Sequence, residues 1–160
     1  MPSEIVKKCS KLLLENRLTI AFAESVTAGR LSAEFSLVEN AGKFLKCSLV
    51  SYDAGVKQDN LRVKKFLIDE FSPESMEVAQ AMTYGMRDLF PADIYVSTTG
   101  LNAPGGSETP EKPVGSIFIH GLVEGNEILH KVVFDGTPEE IMLKAVDRVA
   151  YLVHDILRLE

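Results

Sequence analysis

The sequence predicts an α/β fold, namely a three-layer α/β/α domain with a mixed, mostly parallel five-stranded sheet. Short apolar runs of strand length alternate along the chain with amphipathic stretches of helical period. The turn Gly125-Asn126 joins the last two apolar runs as a hairpin, which makes the sheet mixed. At 160 residues the chain is expected to form one domain over residues 1–160.

Helix starts are predicted from capping residues and prolines. Ser3 precedes the first amphipathic stretch, which begins at Ile5, and is expected to cap it. Pro73 and Pro138 each stand early in a predicted helix with acids in its first turn, and Thr137 is the expected cap of the last helix. Further helices are predicted over residues 27–38, 56–61, 72–90 and 137 to about 159, and residues 64–71 are ambiguous.

The strands are short apolar runs bounded by turn residues. They are predicted over residues 18–23, 47–52, 92–98, 115–121 and 127–134. Because ligands of α/β sheets bind at the carboxyl ends of the strands, the polar residues that follow these runs are the first candidates for a site.

Composition excludes several classes of protein. The net charge of −6 argues against nucleic acid as a partner, which requires a basic face. No apolar run approaches the ~18 residues of a membrane span, and no signal peptide is recognisable, so a cytoplasmic protein without membrane contact is expected. Cys9 and Cys47 are expected to be reduced, buried thiols. The three histidines, His120, His130 and His154, form no ligand motif, so neither a metal nor a cofactor is expected.

The segment Ala23–Gly29 places polar groups between a predicted strand and a predicted helix. From the residues alone, Ser25 has two roles open to it. A helix N-cap is the more common role for such a serine. A nucleophile is the other, if a base lies nearby. Glu24 and Thr27 add two more polar groups where a cap needs only one, and amides at a helix N-terminus also stabilise an oxyanion.

A base for Ser25 has to come from a lysine, because no histidine is placed to serve. Lys57 follows the strand that ends near Tyr52, at the same predicted edge of the sheet as Ser25. Burial can lower the pKa of a lysine enough for it to act as a base. Alternatively, Lys57 is a solvated helix residue and Tyr52 an aromatic residue at a strand end.

A long loop rich in glycine and proline, residues 98–115, separates two predicted strands. Loops of this length in a compact domain are usually functional or disordered. Gly100, Gly105 and Gly106 permit close approach of the backbone to a ligand, and Lys112 supplies a charge. The loop lacks the Walker pattern. It is read either as one wall of a pocket for a polar, anionic small molecule or as a rigid turn that binds nothing.

Three motifs carry a family resemblance that spans nearly the whole chain. They are AESVTAG at 23–29, SYDAGVK at 51–57 and TGLNAPGGSETPEKPVGSIFI at 99–119. The chain resembles the CinA C-terminal domain family, whose active members are nicotinamide-nucleotide amidohydrolases. The larger members carry an additional N-terminal domain, so a stand-alone form is expected here.

The resemblance implies hydrolysis of the carboxamide of nicotinamide mononucleotide, a small nucleotide substrate, by a Ser/Lys mechanism. Ser25 would be the nucleophile, Lys57 the base, and Tyr52 would assist the pair. Substrate is expected to bind at Glu24, Thr27, Thr99, Gly100, Gly105 and Gly106.

Departures from the family pattern motivate two alternatives. Ala54 and Gly55 stand where the family commonly has an Asn-Glu pair, and Pro138 and Met142 stand where its last helix often has arginines. The alternatives are a catalytically weak or inactive nucleotide-binding or interaction module, and a hydrolase of another small carboxamide.

A homodimer is the expected assembly. The apolar run around Phe66, Leu67, Ile68 and Phe71 is a candidate interface, since exposed apolar patches often mark one and two-fold dimers are the most common oligomers.

Overall fold

The computed structural model describes residues 1–160 as one sheet with helices on both of its faces. The strands are β1 (Ile20–Glu24), β2 (Leu45–Val50), β3 (Ile94–Gly100), β4 (Ser116–Val123) and β5 (Asn126–Val133). The helices are α1 (Glu4–Asn16), α2 (Arg30–Ser36), α3 (Ala54–Leu61), α4 (Lys65–Phe71), α5 (Met76–Leu89) and α6 (Pro138–Leu157), with a 3-10 turn at Ala41–Lys43.

The sheet has the strand order β2-β1-β3-β4-β5. Strand β1 pairs in parallel with both β2 and β3, while β4 is antiparallel to β3 and to β5. Only β4 therefore runs against the other strands, and the predicted mixed, mostly parallel, five-stranded α/β/α architecture is confirmed.

Two apolar cores lie on opposite faces of the sheet because neighbouring residues of a strand point to opposite sides. In β1, Phe22 packs in the larger core with residues of α1, α2 and α6. Ala21 and Ala23 face the smaller core, which contains residues of α3 and α5 with side chains of α4 packed against it. The small alanine side chains leave room for Met82 and Met86 of α5 to approach the sheet.

The carboxyl ends of β1, β2 and β3 meet at one edge of the sheet. Glu24, the last residue of β1, pairs with Val50 of β2 on one side and with Thr98 of β3 on the other. The residues that follow β1 and β2, which are Ser25 and Ser51, therefore emerge side by side. This edge carries the candidate site.

The predicted starts of the first and last helices are confirmed. Ser3 Oγ accepts a hydrogen bond from the Val6 amide, and Thr137 forms a reciprocal capping box with Glu140. The ambiguous segment 64–71 contains helix α4. No helix of the chain combines the length and the apolar character that crossing a bilayer requires.

Two helix starts were predicted too early. Helix α2 begins at Arg30 rather than at residue 27, because Ala28 and Gly29 have φ angles of 46° and 92°, which an α-helix excludes. Helix α5 begins at Met76, with Ser75 as its cap. Pro73 and Glu74 therefore precede that helix in an irregular segment instead of forming its first turn.

Candidate active site

Ser25 lies in a tight turn directly after β1, and it is not a helix cap. Its amide donates a hydrogen bond to the Thr98 carbonyl oxygen at 2.9 Å, and its own carbonyl accepts one from the Ala28 amide at 3.0 Å. The residue is buried apart from 6 % of its surface. The turn thus fixes the backbone of Ser25 against β3 and leaves its hydroxyl available.

Lys57 of α3 reaches that hydroxyl. Its Nζ donates to Ser25 Oγ at 2.9 Å, to the Ser51 carbonyl oxygen at 2.7 Å and to the Tyr52 carbonyl oxygen at 3.2 Å. Asp53 caps α3 through the Gly55 and Val56 amides and so sets the direction of the helix. The alternative interpretation of Lys57 as a solvated helix residue is wrong, because the residue is only 1 % exposed.

Burial lowers the pKa of Lys57 from its ordinary value of 10.5. The charges of Glu74 and, more weakly, of Asp53 act in the opposite direction, because a nearby anion favours the ammonium form. Asp53 makes no ion pair with Lys57, since its carboxylate is engaged by the α3 amides. The neutral amine, the form that can accept a proton, is therefore favoured relative to an exposed lysine.

Glu24 is buried beneath this turn and holds it together. The Oε1 atom accepts from the Ser32 amide at 2.9 Å and from Ser48 Oγ at 2.8 Å. The Oε2 atom accepts from Thr27 Oγ1 at 2.7 Å and from the Gly29 and Leu31 amides at 3.0 Å each. The amides at the start of α2 are thus already occupied by a carboxylate.

A cavity of about 270 Å³ opens next to Ser25. Its walls come from four places: the turn after β1, the end of β2, the loop after β3 and the segment that precedes α5. The lining residues are Ser25, Val26, Tyr52, Glu74, Gly100, Leu101, Asn102, Ala103, Pro104, Gly105 and Gly106. Residues 100–106, from the first part of the predicted loop, and the Ser25 turn therefore face one space, as the sequence predicted for a pocket.

Three residues that were expected to bind substrate do not line this cavity. Glu24 and Thr27 are buried behind the turn, where Thr27 Oγ1 also lies 2.8 Å from Thr98 Oγ1. Thr99 is buried and donates through its hydroxyl to the Pro73 carbonyl oxygen at 2.9 Å. We assign all three a supporting role, since their polar groups are used within the chain.

Apart from Lys57, the other predicted site residues line the cavity. Tyr52 is 63 % exposed, lines the cavity and offers its carbonyl oxygen rather than its phenol to Lys57. Gly100, Gly105 and Gly106 also line the cavity. The amides of Gly105 and Gly106 donate to the carboxylate of Glu108 at 2.9 and 2.8 Å, and these contacts lower the pKa of Glu108.

Two features of the site were missed from the sequence. Glu74 lines the cavity, although the sequence analysis placed this acidic residue in the first turn of a helix. The amides of Val26 and Thr27 make no hydrogen bond within the chain, which leaves two donors beside Ser25. The positive φ of Ala28 is the one feature that could have indicated these free amides. An alanine in the sequence does not predict a positive φ.

Elsewhere, neither the cysteines nor the histidines contribute to this site. Burial raises the pKa of Cys9 to about 12 and also raises that of Cys47, which is only partly buried, contrary to the prediction for that thiol. His120 is buried and bonded through Nε2 to Glu127 at 2.8 Å. No cluster of three His, Cys, Asp or Glu side chains is arranged to hold a metal ion.

The fold and the site define an α/β/α domain with a serine–lysine pair at the carboxyl edge of its sheet. The sequence model of the CinA C-terminal domain matches residues 2–157. The chain belongs to the CinA C-terminal domain family, and the resemblance inferred from the three motifs is confirmed.

Curated relatives support the same assignment. A CinA-like protein of Leptospira borgpetersenii is 33% identical over 157 residues, which cover 97% of this chain and 37% of that protein. A CinA-like protein of Syntrophotalea carbinolica is 34% identical over 132 residues, covering 82% of this chain and 32% of that protein. The chain thus spans about a third of the length of the curated relatives it matches.

Solved structures share the fold. A competence-damaged protein (CinA) superfamily protein from Enterobacter cloacae superposes with a TM-score of 0.89 at 26% identity, covering 96% of this chain and 90% of that one. The competence damage-inducible protein A of Klebsiella pneumoniae superposes with a TM-score of 0.91 at 24% identity, covering 97% and 96% of the two chains.

Proposed function

We propose that this protein hydrolyses a carboxamide by a serine–lysine mechanism, and that nicotinamide mononucleotide is its substrate. The contact of 2.9 Å between Lys57 Nζ and Ser25 Oγ carries the proposal, because Ser25 lines a cavity. A nucleophile and its base must lie within hydrogen-bond reach, and this pair does. The family resemblance supplies the substrate, since active members act on this mononucleotide.

The chemistry follows from the contacts of Lys57. In its neutral form the amine keeps its two N–H bonds for the Ser51 and Tyr52 carbonyl oxygens, and its lone pair is free for the hydrogen of Ser25. Lys57 then takes the proton as Ser25 Oγ attacks the carboxamide carbon. The lysine returns the proton to the nitrogen, the C–N bond breaks, and ammonia leaves an ester on Ser25. Water cleaves that ester to give the carboxylate and regenerates the hydroxyl.

The developing oxyanion needs hydrogen-bond donors that are already in place. The amides at the start of α2, which the sequence suggested, are bound to Glu24 instead. The Val26 amide is the better candidate, because it makes no bond within the chain and Val26 lines the cavity. The Thr27 amide also makes no bond within the chain, but Thr27 is buried and does not line the cavity.

Two observations favour a second candidate, a hydrolase of a carboxamide without a phosphate. The cavity lining contains neither lysine nor arginine. The amides of Gly105 and Gly106, which could hold a phosphate, are taken by Glu108. Comparing the turnover of the mononucleotide with that of nicotinamide riboside separates the two candidates.

Ammonia release tests the proposal. The wild-type protein should release ammonia from the mononucleotide, and Ser25→Ala and Lys57→Met should each lower the rate by about a thousandfold or more, as for residues that act as a unit. Ser36→Ala is the matched control, because this exposed serine of α2 bonds only to the Ala33 carbonyl oxygen. Equal rates for Ser25→Ala and the wild type would contradict the mechanism. Binding of the nucleotide without turnover by the wild type would point to the non-catalytic module.

A further inference from the structure

We infer that Glu74 makes the cavity select a carboxamide whose aromatic ring carries a positive charge. The inference rests on the proposed function, because it concerns the same cavity and adds a residue that distinguishes one ring from another. A pyridinium ring alkylated on its nitrogen carries such a charge, and its 1,4-dihydro form, of nearly the same size, does not.

The charge of the lining is the first argument. Glu74 is the one carboxylate among the residues that form the cavity wall, and no cationic side chain accompanies it there. A carboxylate near low-dielectric walls attracts a cation more strongly than it would in water. The lining thus favours a positive centre on the part of the ligand that enters the cavity.

Three side chains fix the position of Glu74 and of Pro73 before it. Thr99 Oγ1 of β3 donates to the carbonyl oxygen of Pro73, the residue before Glu74, at 2.9 Å. Lys112 Nζ donates to the Glu74 carbonyl oxygen at 3.1 Å, and Ser107 Oγ donates to Glu74 Oε2 at 2.5 Å. The residue is thus anchored by β3 and by the loop of residues 101–115, as a residue that determines specificity must be.

The carboxylate keeps capacity for a ligand. Oε1 of Glu74 accepts no hydrogen bond within the chain, and the side chain takes part in no ion pair. Lys112 lies nearby, but its Nζ bonds to Ser72 Oγ, Ser107 Oγ and the Glu74 carbonyl oxygen. Burial lowers the pKa of Lys112, and the charge of Glu74 acts in the opposite direction. The negative charge at the wall is therefore not cancelled by a direct partner.

The reactive serine lines the same cavity as this carboxylate. Ser25 and Glu74 both face the space, and the charge of Glu74 is close enough to Lys57 to act on its pKa. A carboxamide at Ser25 with its ring in the cavity therefore places the ring within the field of Glu74. A cationic ring would be held more tightly than its neutral counterpart of the same shape.

Binding without turnover tests this inference. In Ser25→Ala protein, calorimetric titration compares nicotinamide riboside, whose ring is cationic, with 1,4-dihydronicotinamide riboside, whose ring is neutral. Neither probe has a phosphate, so the comparison does not depend on whether the cavity accepts one. We expect the cationic probe to bind about tenfold more tightly, as one unscreened charge contact can produce.

Adding Glu74→Gln should abolish the preference by weakening the cationic probe alone. Glu77→Gln is the matched control, because it removes the same charge from an exposed position at the start of α5. Equal affinity for the two probes, or no binding of either, would overturn the inference. Equal weakening of both probes by Glu74→Gln would also overturn it, since the carboxylate would then contact the ribose hydroxyls. A wild-type protein that releases no ammonia would count against the proposed function only, because the binding preference is measured without turnover.

Discussion

Lys57 Nζ and Ser25 Oγ lie 2.9 Å apart although 32 residues separate them in the chain. The parallel pairing of β1 with β2 brings the two segments together, since Glu24 is opposite Val50 at the strand ends. The Ser51 and Tyr52 carbonyl oxygens then hold the amine at that point. The pair is thus a direct consequence of the sheet register.

The rate of hydrolysis should rise with pH. Because burial lowers the pKa of Lys57 from 10.5, the neutral base becomes available as pH increases, and the midpoint of kcat/KM should lie below that value. Glu74→Gln removes the main charge that raises this pKa, so the midpoint should move to lower pH in that variant. A pH–rate profile of the two proteins checks both statements. A rate that falls between neutral and mildly alkaline pH, while the protein stays folded, would contradict the role of Lys57.

Glu24→Gln should destabilise the fold. Each carboxylate oxygen accepts at least one backbone amide, so the amide nitrogen of glutamine would face a donor in either orientation. Leaving a buried donor unsatisfied costs about 1–3 kcal/mol. Urea unfolding should register a loss of that size. Glu139→Gln, an exposed change in the first turn of α6, is the control. A variant as stable as the wild type would show that the carboxylate does not hold the turn.

Gly105→Val should abolish ligand binding and leave the fold in place. A side chain at this position meets no atom within 4 Å, so the valine would project into open space beside the cavity wall. Its φ of 98° strains any other residue, and Gly125 has the same combination of positive φ and open space in the turn between β4 and β5. Gly125→Val should therefore lose similar stability but bind normally. If both variants bind the riboside equally well, the loop is a connector and does not contact ligand.

Much of the architecture could be predicted from the sequence, because its signals are local. The capping residues Ser3 and Thr137 act within one turn of their helices, and apolar runs identify each strand. The turn after β1 could not be predicted, because the positive φ of Ala28 is imposed by the hydrogen bonds of Glu24 to amides up to eight residues away.

Some residues of the candidate site could also be predicted from the sequence, and others could not. The shared location of Ser25 and Lys57 was predictable because both follow strands that end at one edge of the sheet, whereas their roles were implied by the family resemblance. The roles of Glu24, Thr99 and Glu74 depend on contacts with distant segments, such as the bond from Thr99 to the Pro73 carbonyl oxygen. No spacing in the sequence encodes that contact.

The chain should form a homodimer through α4. Phe66 and Phe71 are 61% and 39% exposed, while Leu67 and Ile68 pack against the smaller core. Light scattering at micromolar concentration should give about twice the 17.6 kDa of one chain. Phe66→Asp should shift the mass to that of a monomer, whereas Leu129→Asp, at an exposed position of β5, should not. A monomeric wild type would refute the dimer, and dissociation by Leu129→Asp alone would place the interface elsewhere.

Intact-mass spectrometry tests the central claim, covalent catalysis by Ser25, most directly. The wild-type protein, quenched with acid during turnover of the mononucleotide, should carry the added mass of one acyl group, and peptide mapping should assign it to Ser25. Ser25→Ala should carry none, and Ser36→Ala should match the wild type. Sustained release of ammonia by a protein that never carries the acyl group on Ser25, or an acyl group mapped to another residue, would contradict the account.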